Sequence, residues 1–251
     1  MKLKNYWLLC SAALLATSLP SLAQVRSLKY DAVVIADAAA LKALGVPDFA
    51  ANSASGRGIS IGEVEESVQT VGQKLSVSSR LKLGTVASSI WSNLAFSRRT
   101  ETVCNTGVPS LIYTSELRGK SDSLITQPDA SGKSVTVRQN KVVIFNSPLT
   151  KPLVDASALQ HCYFKQAAPK AMSVQLATGK SVTAANFSVL TENLTWQGKS
   201  VPVIRLYRGR TNQDSGLELW YRAEDGMPLK SRITFAKPAG VSLISTLISD
   251  N

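Results

Sequence analysis

The chain has 251 residues, with 28 Lys and Arg against 17 Asp and Glu, one His and three Cys, giving a formal net charge of +11 and a pI near 9.7. At 44% hydrophobic residues it is too apolar for a disordered polypeptide and long enough to bury a sizeable core. One His and three Cys exclude most multi-ligand zinc and iron–sulfur sites, and no cofactor or metal is expected.

The first residues read as an export leader. Lys2 and Lys4 precede a nearly uninterrupted apolar or small run from Tyr6 to Ala16, and Pro20 leads to Ser21-Leu22-Ala23, small at the two positions a signal peptidase reads. Cleavage is expected after Ala23. The run is short of the ~20 residues a membrane span needs, and Cys10 lacks the small preceding residue that lipoprotein processing requires. Removing 23 residues leaves 228 with a charge of +9, because the leader holds two Lys and no acid. The product is expected outside the cytoplasm, in a bacterial periplasm, with no transmembrane anchor after cleavage. Its two remaining cysteines, Cys104 and Cys162, then meet an oxidising compartment and are expected to bond; two buried free thiols are the alternative.

Residues 24–55 form an Ala-rich N-terminal segment. Asp37 is placed to cap a short helix over 37–44, which Gly45 and Pro47 stop, and residues 52–56 read as a loop. Residues 56–251 read as a single β domain. Val-, Ile-, Thr- and aromatic-rich segments are cut by turn signals at residues 71–73, 83–84, 105–107, 118–120, 129–132, 178–179, 197–198, 225–226 and 238–240. That spacing predicts an antiparallel meander of hairpins.

In the C-terminal part, Leu217, Leu219 and Tyr221 alternate with Glu218, Trp220 and Arg222. Leu229, Ile233 and Phe235 alternate with Lys230, Arg232 and Thr234. Period-two patterning of this kind has one face buried and one wet. In the last strand Ile244 and Ile248 fall on the face opposite Val241, Leu243 and Leu247, which predicts cover on both sides. A helical insertion near 153–167, starting at Asp155 and running through His161-Cys162, would cross one end of the sheet.

Several motifs imitate chemistry. Gly58-Ile59-Ser60-Ile61-Gly62 matches G-x-S-x-G, with His161 the only His available as base and Asp122, Asp129 or Asp155 as third member. The hydrolase version needs a strand-to-helix turn, whereas this stretch reads as continuous strand. Ser79-Arg80-Leu81-Lys82 matches S-x-x-K without a helical context, and Gly56, Gly58 and Gly62 miss the dinucleotide fingerprint by one residue. His161-Cys162 is a poor metal pair. No catalytic residue is assigned. Arg205, Arg208 and Arg210 flank Tyr207, and Arg222, Lys230 and Arg232 follow on neighbouring strands. These six are candidate anion contacts. Export makes nucleic acid an unsuitable partner and leaves anionic envelope polymers, with a solvated basic surface as the plain alternative.

The run Leu217-Glu218-Leu219-Trp220-Tyr221 followed by Asp225-Gly226-Met227-Pro228-Leu229-Lys230-Ser231-Arg232-Ile233 resembles the close of a domain-of-unknown-function family of Gram-negative periplasmic proteins (DUF3108-like). Asp155-Ala156-Ser157-Ala158-Leu159 resembles the start of its mid-chain helix, and Pro109-Ser110-Leu111-Ile112-Tyr113 one of its strands. The resemblance implies a mainly β, strongly curved antiparallel sheet or half-closed barrel with one or two short helices. It brings no activity and no catalytic residues. The expected function is that of an exported, non-enzymatic protein whose concave apolar face holds a lipidic or amphipathic ligand in envelope maintenance. An adaptor docking through a basic face on anionic envelope polymers is one alternative, and a serine hydrolase using Ser60 and His161 another.

Overall fold

The computed structural model describes residues 23–91, 95–105, 108–119 and 122–251, so the basic and apolar parts of the expected leader lie outside the described residues. The first strand, β1 (Gln24–Ile35), is followed by two short helices, α1 (Ala38–Ala43) and α2 (Asp48–Ala54). A long hairpin, β2 (Ile59–Val71) and β3 (Lys74–Leu83), leads through α3 (Thr85–Ile90) to β4 (Phe96–Asn105) and β5 (Val108–Gly119). Three short strands come next: β6 (Ser123–Pro128), β7 (Ser134–Gln139) and β8 (Val142–Pro148). Then β9 (Leu153–Asp155) enters α4 (Ala156–His161) directly. The chain closes with β10 (Met172–Thr178), β11 (Ser181–Trp196), β12 (Lys199–Arg208), β13 (Gly216–Arg222), β14 (Pro228–Thr234) and β15 (Ser242–Asp250).

Among the described residues these strands form one sheet in the order β8-β7-β6-β5-β4-β3-β2-β1-β15-β14-β13-β12-β11-β10-β9. The expected mainly β, antiparallel meander is present as a curved open sheet. One pair departs from it: β9 lies parallel to β10, because α4 intervenes and carries the chain back to the same end. No backbone pairing joins β8 to β9. Instead Leu124, Val135 and Val137 of β6 and β7 pack against Leu153, Ala177 and Val182 of β9 to β11, so side chains bring the two arms of the sheet together.

The strand β1 was not expected. It lies in the middle of the sheet, paired with β2 on one side and β15 on the other, so the segment 24–55 is integral to the fold. Its inward positions are Arg26, Leu28, Tyr30, Ala32 and Val34, and an Arg and an Ala among them weaken the apolar alternation. The helix α1 forms as expected: Asp37 Oδ1 accepts from the Ala40 amide at 2.7 Å, and Gly45 takes φ +85° after it. Residues 52–54, expected as loop, complete α2, where Ala50, Ala51 and Ala54 outweigh Asn52 and Ser53 in propensity. Helices α1 to α3 cover one end of the inner face through Leu41, Val46, Ala51 and Trp91, whose indole donates to Leu44 O at 2.7 Å.

The helix α4 fills the middle. Ala158, Leu159, Cys162 and Tyr163 are buried, Tyr221 Oη donates to Leu159 O at 3.0 Å, and Cys162 is joined to Cys104 of β4 with Cα atoms 5.5 Å apart. The chain leaving α4 is docked on the β13–β14 turn. Lys165 N donates to Asp225 O at 2.7 Å, and Gly226, at φ +71°, lies so close that a Cβ there would sit 2.0 Å from Tyr163 O. The Arg26 guanidinium stacks 3.5 Å from the centre of the Phe164 ring. In β15, Ile244 and Leu247 are buried on opposite faces, while Ile248 falls at a β-bulge against β1 and is exposed.

Candidate functional site

The concave face holds a cavity of about 240 Å³ between α4 and the strands β1 to β5 and β13 to β15. Inward alternation supplies its apolar wall: Ile61, Val64 and Leu81 on one side, Leu217, Leu219 and Ile233 on the other, with Phe96 at the rim. Ser231 and Ser245, opposite each other on β14 and β15, also point in. Neither hydroxyl has a hydrogen-bond partner among the described residues.

One side of the cavity is polar, against the expectation of an apolar concave face. Glu66 on β2 is buried. It accepts from Ser79 Oγ at 3.0 Å, and its other oxygen lies 2.8 Å from His161 Nε2. Arg98 on β4 pairs with Asp155, a fully buried carboxylate at the end of β9. Thr100 and Thr102 continue this inward polar row. The groups come together because Glu66 and Ser79 are register partners on β2 and β3, and Ser79 and Arg98 on β3 and β4. Tyr30, Tyr163 and Tyr221 surround the far side of α4, and burial pushes all three phenols up, keeping them neutral.

The structure does not assemble the G-x-S-x-G motif into a site. Ser60 is exposed on the outer face and donates to Asp31 at 3.2 Å, while His161 is buried inside on Glu66. A bulge between Ala32 and Val33 separates the two orientations within β2. Both glycines have packing reasons. A Cβ at Gly62 would lie 2.0 Å from Lys82 O, and one at Gly58 would lie 2.7 Å from Val33 Cγ1. Asp122 and Asp129 serve the turns around β6 and β7, and Asp155 is taken by Arg98. The S-x-x-K pair is split across the sheet: Ser79 faces Glu66 within, and Lys82 reaches Glu65 outside at 2.6 Å. Cys162 is bonded to Cys104, so His161-Cys162 offers no ligand pair.

The six candidate anion contacts do not form one face. Arg205, Arg222, Lys230 and Arg232 lie on the outer side with Tyr207 and Trp220. Arg208 faces inward instead, buried, with Asp214 at 3.3 Å, because it stands opposite inward Leu217. Arg210 sits in the loop before β13 and donates to Phe235 O. The outer four are largely neutralised. Arg205 and Arg232 share Glu218, Arg205 also meets Glu192, and Arg222 forms a two-bond pair with Asp225. Lys230 stacks over Trp220, and burial, helped by Arg232, lowers its pKa.

The inward polar residues Glu66 and Arg98 and the cavity serines Ser231 and Ser245 were not singled out from sequence. Each occupies a position that alternation marks as polar or neutral, and only the register shows that they face the same space. No known protein-family model matches the chain, and no curated protein gives a significant match.

Proposed function

We propose that this is an exported, non-enzymatic protein of the bacterial envelope that holds a small amphipathic ligand in its concave cavity. The observation that carries the reading is a space of about 240 Å³, apolar over most of its wall and polar along Glu66, Ser79 and Arg98, with two unpartnered serine hydroxyls inside it. An apolar cavity of about 150 Å³ already accepts benzene, and drug-sized ligands occupy about 300–1,000 Å³. This space therefore suits one acyl segment or a small ring rather than a whole lipid. The hydroxyls of Ser231 and Ser245 would meet the polar end.

Two features support export. The first strand begins at Gln24, directly after the expected cleavage position, and a bonded cysteine pair fits an oxidising compartment. Among the described residues no helix is long and apolar enough to cross a membrane. The patches that resemble the periplasmic domain-of-unknown-function family are consistent with the same setting. Native mass spectrometry of protein purified from the periplasm, followed by uptake of a fluorescent medium-chain fatty acid, tests the proposal. One-to-one uptake is expected. Protein that carries nothing and takes up nothing overturns it.

A further inference from the structure

We propose that the outer face of β3 to β5 carries a binding site for a phosphoryl group, formed by Arg80, Arg99 and Arg118 over a floor of Ser78 and Ser97. The site is separate from the concave cavity and does not rest on the reading of it. Register places the residues: Arg80 stands opposite Ser97, and Ser97 opposite Arg118, while Ser78 stands opposite Arg99, and Arg99 opposite Glu116. Directly opposed residues on antiparallel strands share a face, so two adjacent rows read Arg-Ser-Arg and Ser-Arg-Glu. That face is the outer one, because the alternating neighbours Ser79 and Arg98 turn inward to Glu66 and Asp155.

The serines are too short to fill the space between long neighbours, and a groove of about 330 Å³ results. Strands lie about 4.8 Å apart, so the stems of Arg80 and Arg118 stand roughly 10 Å apart, within reach of one oxyanion above Ser97. Arg99 closes a third side. Guanidinium groups match phosphate oxygens two bonds at a time, and here three arginines meet at a groove whose lining holds one carboxylate, Glu116, while Glu65 and Glu101 flank it. Arg80 stands opposite Glu65 on β2 and interacts with that carboxylate electrostatically, but Glu65 is held at 2.6 Å by Lys82 rather than by Arg80. Arg99 pairs with Glu101 and Arg118 with Glu116, but these side chains are exposed, and pairs of that kind are weak enough to yield to a ligand. The C-terminal basic residues differ in this respect, being tied to Glu192, Glu218 and Asp225.

The shared chemistry is a phosphate group, which a phospholipid headgroup or free inorganic phosphate can supply. Flotation with phosphatidylcholine vesicles, with and without phosphatidylglycerol, reads the first source at low salt. Protection against thermal unfolding by inorganic phosphate reads the second. Binding in either arm is expected to fall roughly tenfold or more in the Arg80→Gln/Arg118→Gln variant, by the weight of two surface cations. It should be unchanged in Lys199→Gln, an exposed charge at the start of β12. No response in either arm, or an equal loss in Lys199→Gln, overturns the proposal. Unchanged thermal unfolding of the ligand-free double variant shows that the loss is not one of folding.

Discussion

Glu66 is the residue on which the interior polar row turns. It lies on a central strand, buried, and its two oxygens are met by Ser79 and His161. Removing His161 strands a buried carboxylate oxygen without its partner, a loss of about 1–3 kcal/mol for a hydrogen-bonded group. His161→Ala is therefore expected to lower unfolding free energy by that amount in urea titrations. A change within error would show that the contact does not hold α4. Asp225 works at the surface. The Arg222 guanidinium beside it, and the Met227 amide, hold its carboxyl below the usual range. A lowered folded pKa means that its stabilisation is complete above the unfolded value of about 3.9 and is lost as pH falls through the folded value. The stability gap between the wild type and Asp225→Asn should be flat above about pH 5 and close below it. A gap that stays constant into acid would remove Asp225 from the pH response.

At the scale of elements, the hairpins were legible because their turns contain the residues that such turns need. Gly72, Gly132, Gly179, Gly198, Gly226 and Gly240 all adopt positive φ, and each falls at an expected break. The β7–β8 turn was missed because Asn140 and Lys141 do the same work without glycine, at φ +49° and +74°. The helix α4 was expected and α3 was not, since Thr85-Val86-Ala87-Ser88 carries weak helical preference and is held by packing of Ala87 and Trp91. The cysteine bond joins α4 to β4, elements 58 residues apart in sequence, and so fixes a helix of only six residues that could not persist alone. Closing a loop of that length is worth about 4 kcal/mol in the chain-entropy model. Reduction, or Cys104→Ser/Cys162→Ser, is expected to lower the urea midpoint correspondingly. Alkylation of unreduced protein should add no label, and two labelled thiols would show the bond to be absent.

For the whole molecule, the open sheet follows from one arrangement: inward side chains and a central helix take the place of barrel closure. Alternation predicted one buried face and the family resemblance a curved sheet, but neither could show which inward positions leave space. Ser231 and Ser245 do so because each is a small residue at an inward position: Ser231 stands opposite Leu219 on β13, and Ser245 follows the inward Leu243 on its own strand. This makes the cavity removable without disturbing the sheet. In Ser231→Leu the added side chain enters free volume and removes an unpartnered hydroxyl. Cavity filling of this kind commonly stabilises by about 0.5–2 kcal/mol. The expected outcome is a melting temperature equal to or above that of the wild type, together with loss of fatty-acid uptake. The combination matters because a variant that merely misfolds loses uptake and stability together. If uptake persists at full stoichiometry in a folded Ser231→Leu protein, the ligand binds elsewhere, and the concave cavity is only an imperfection of packing around α4.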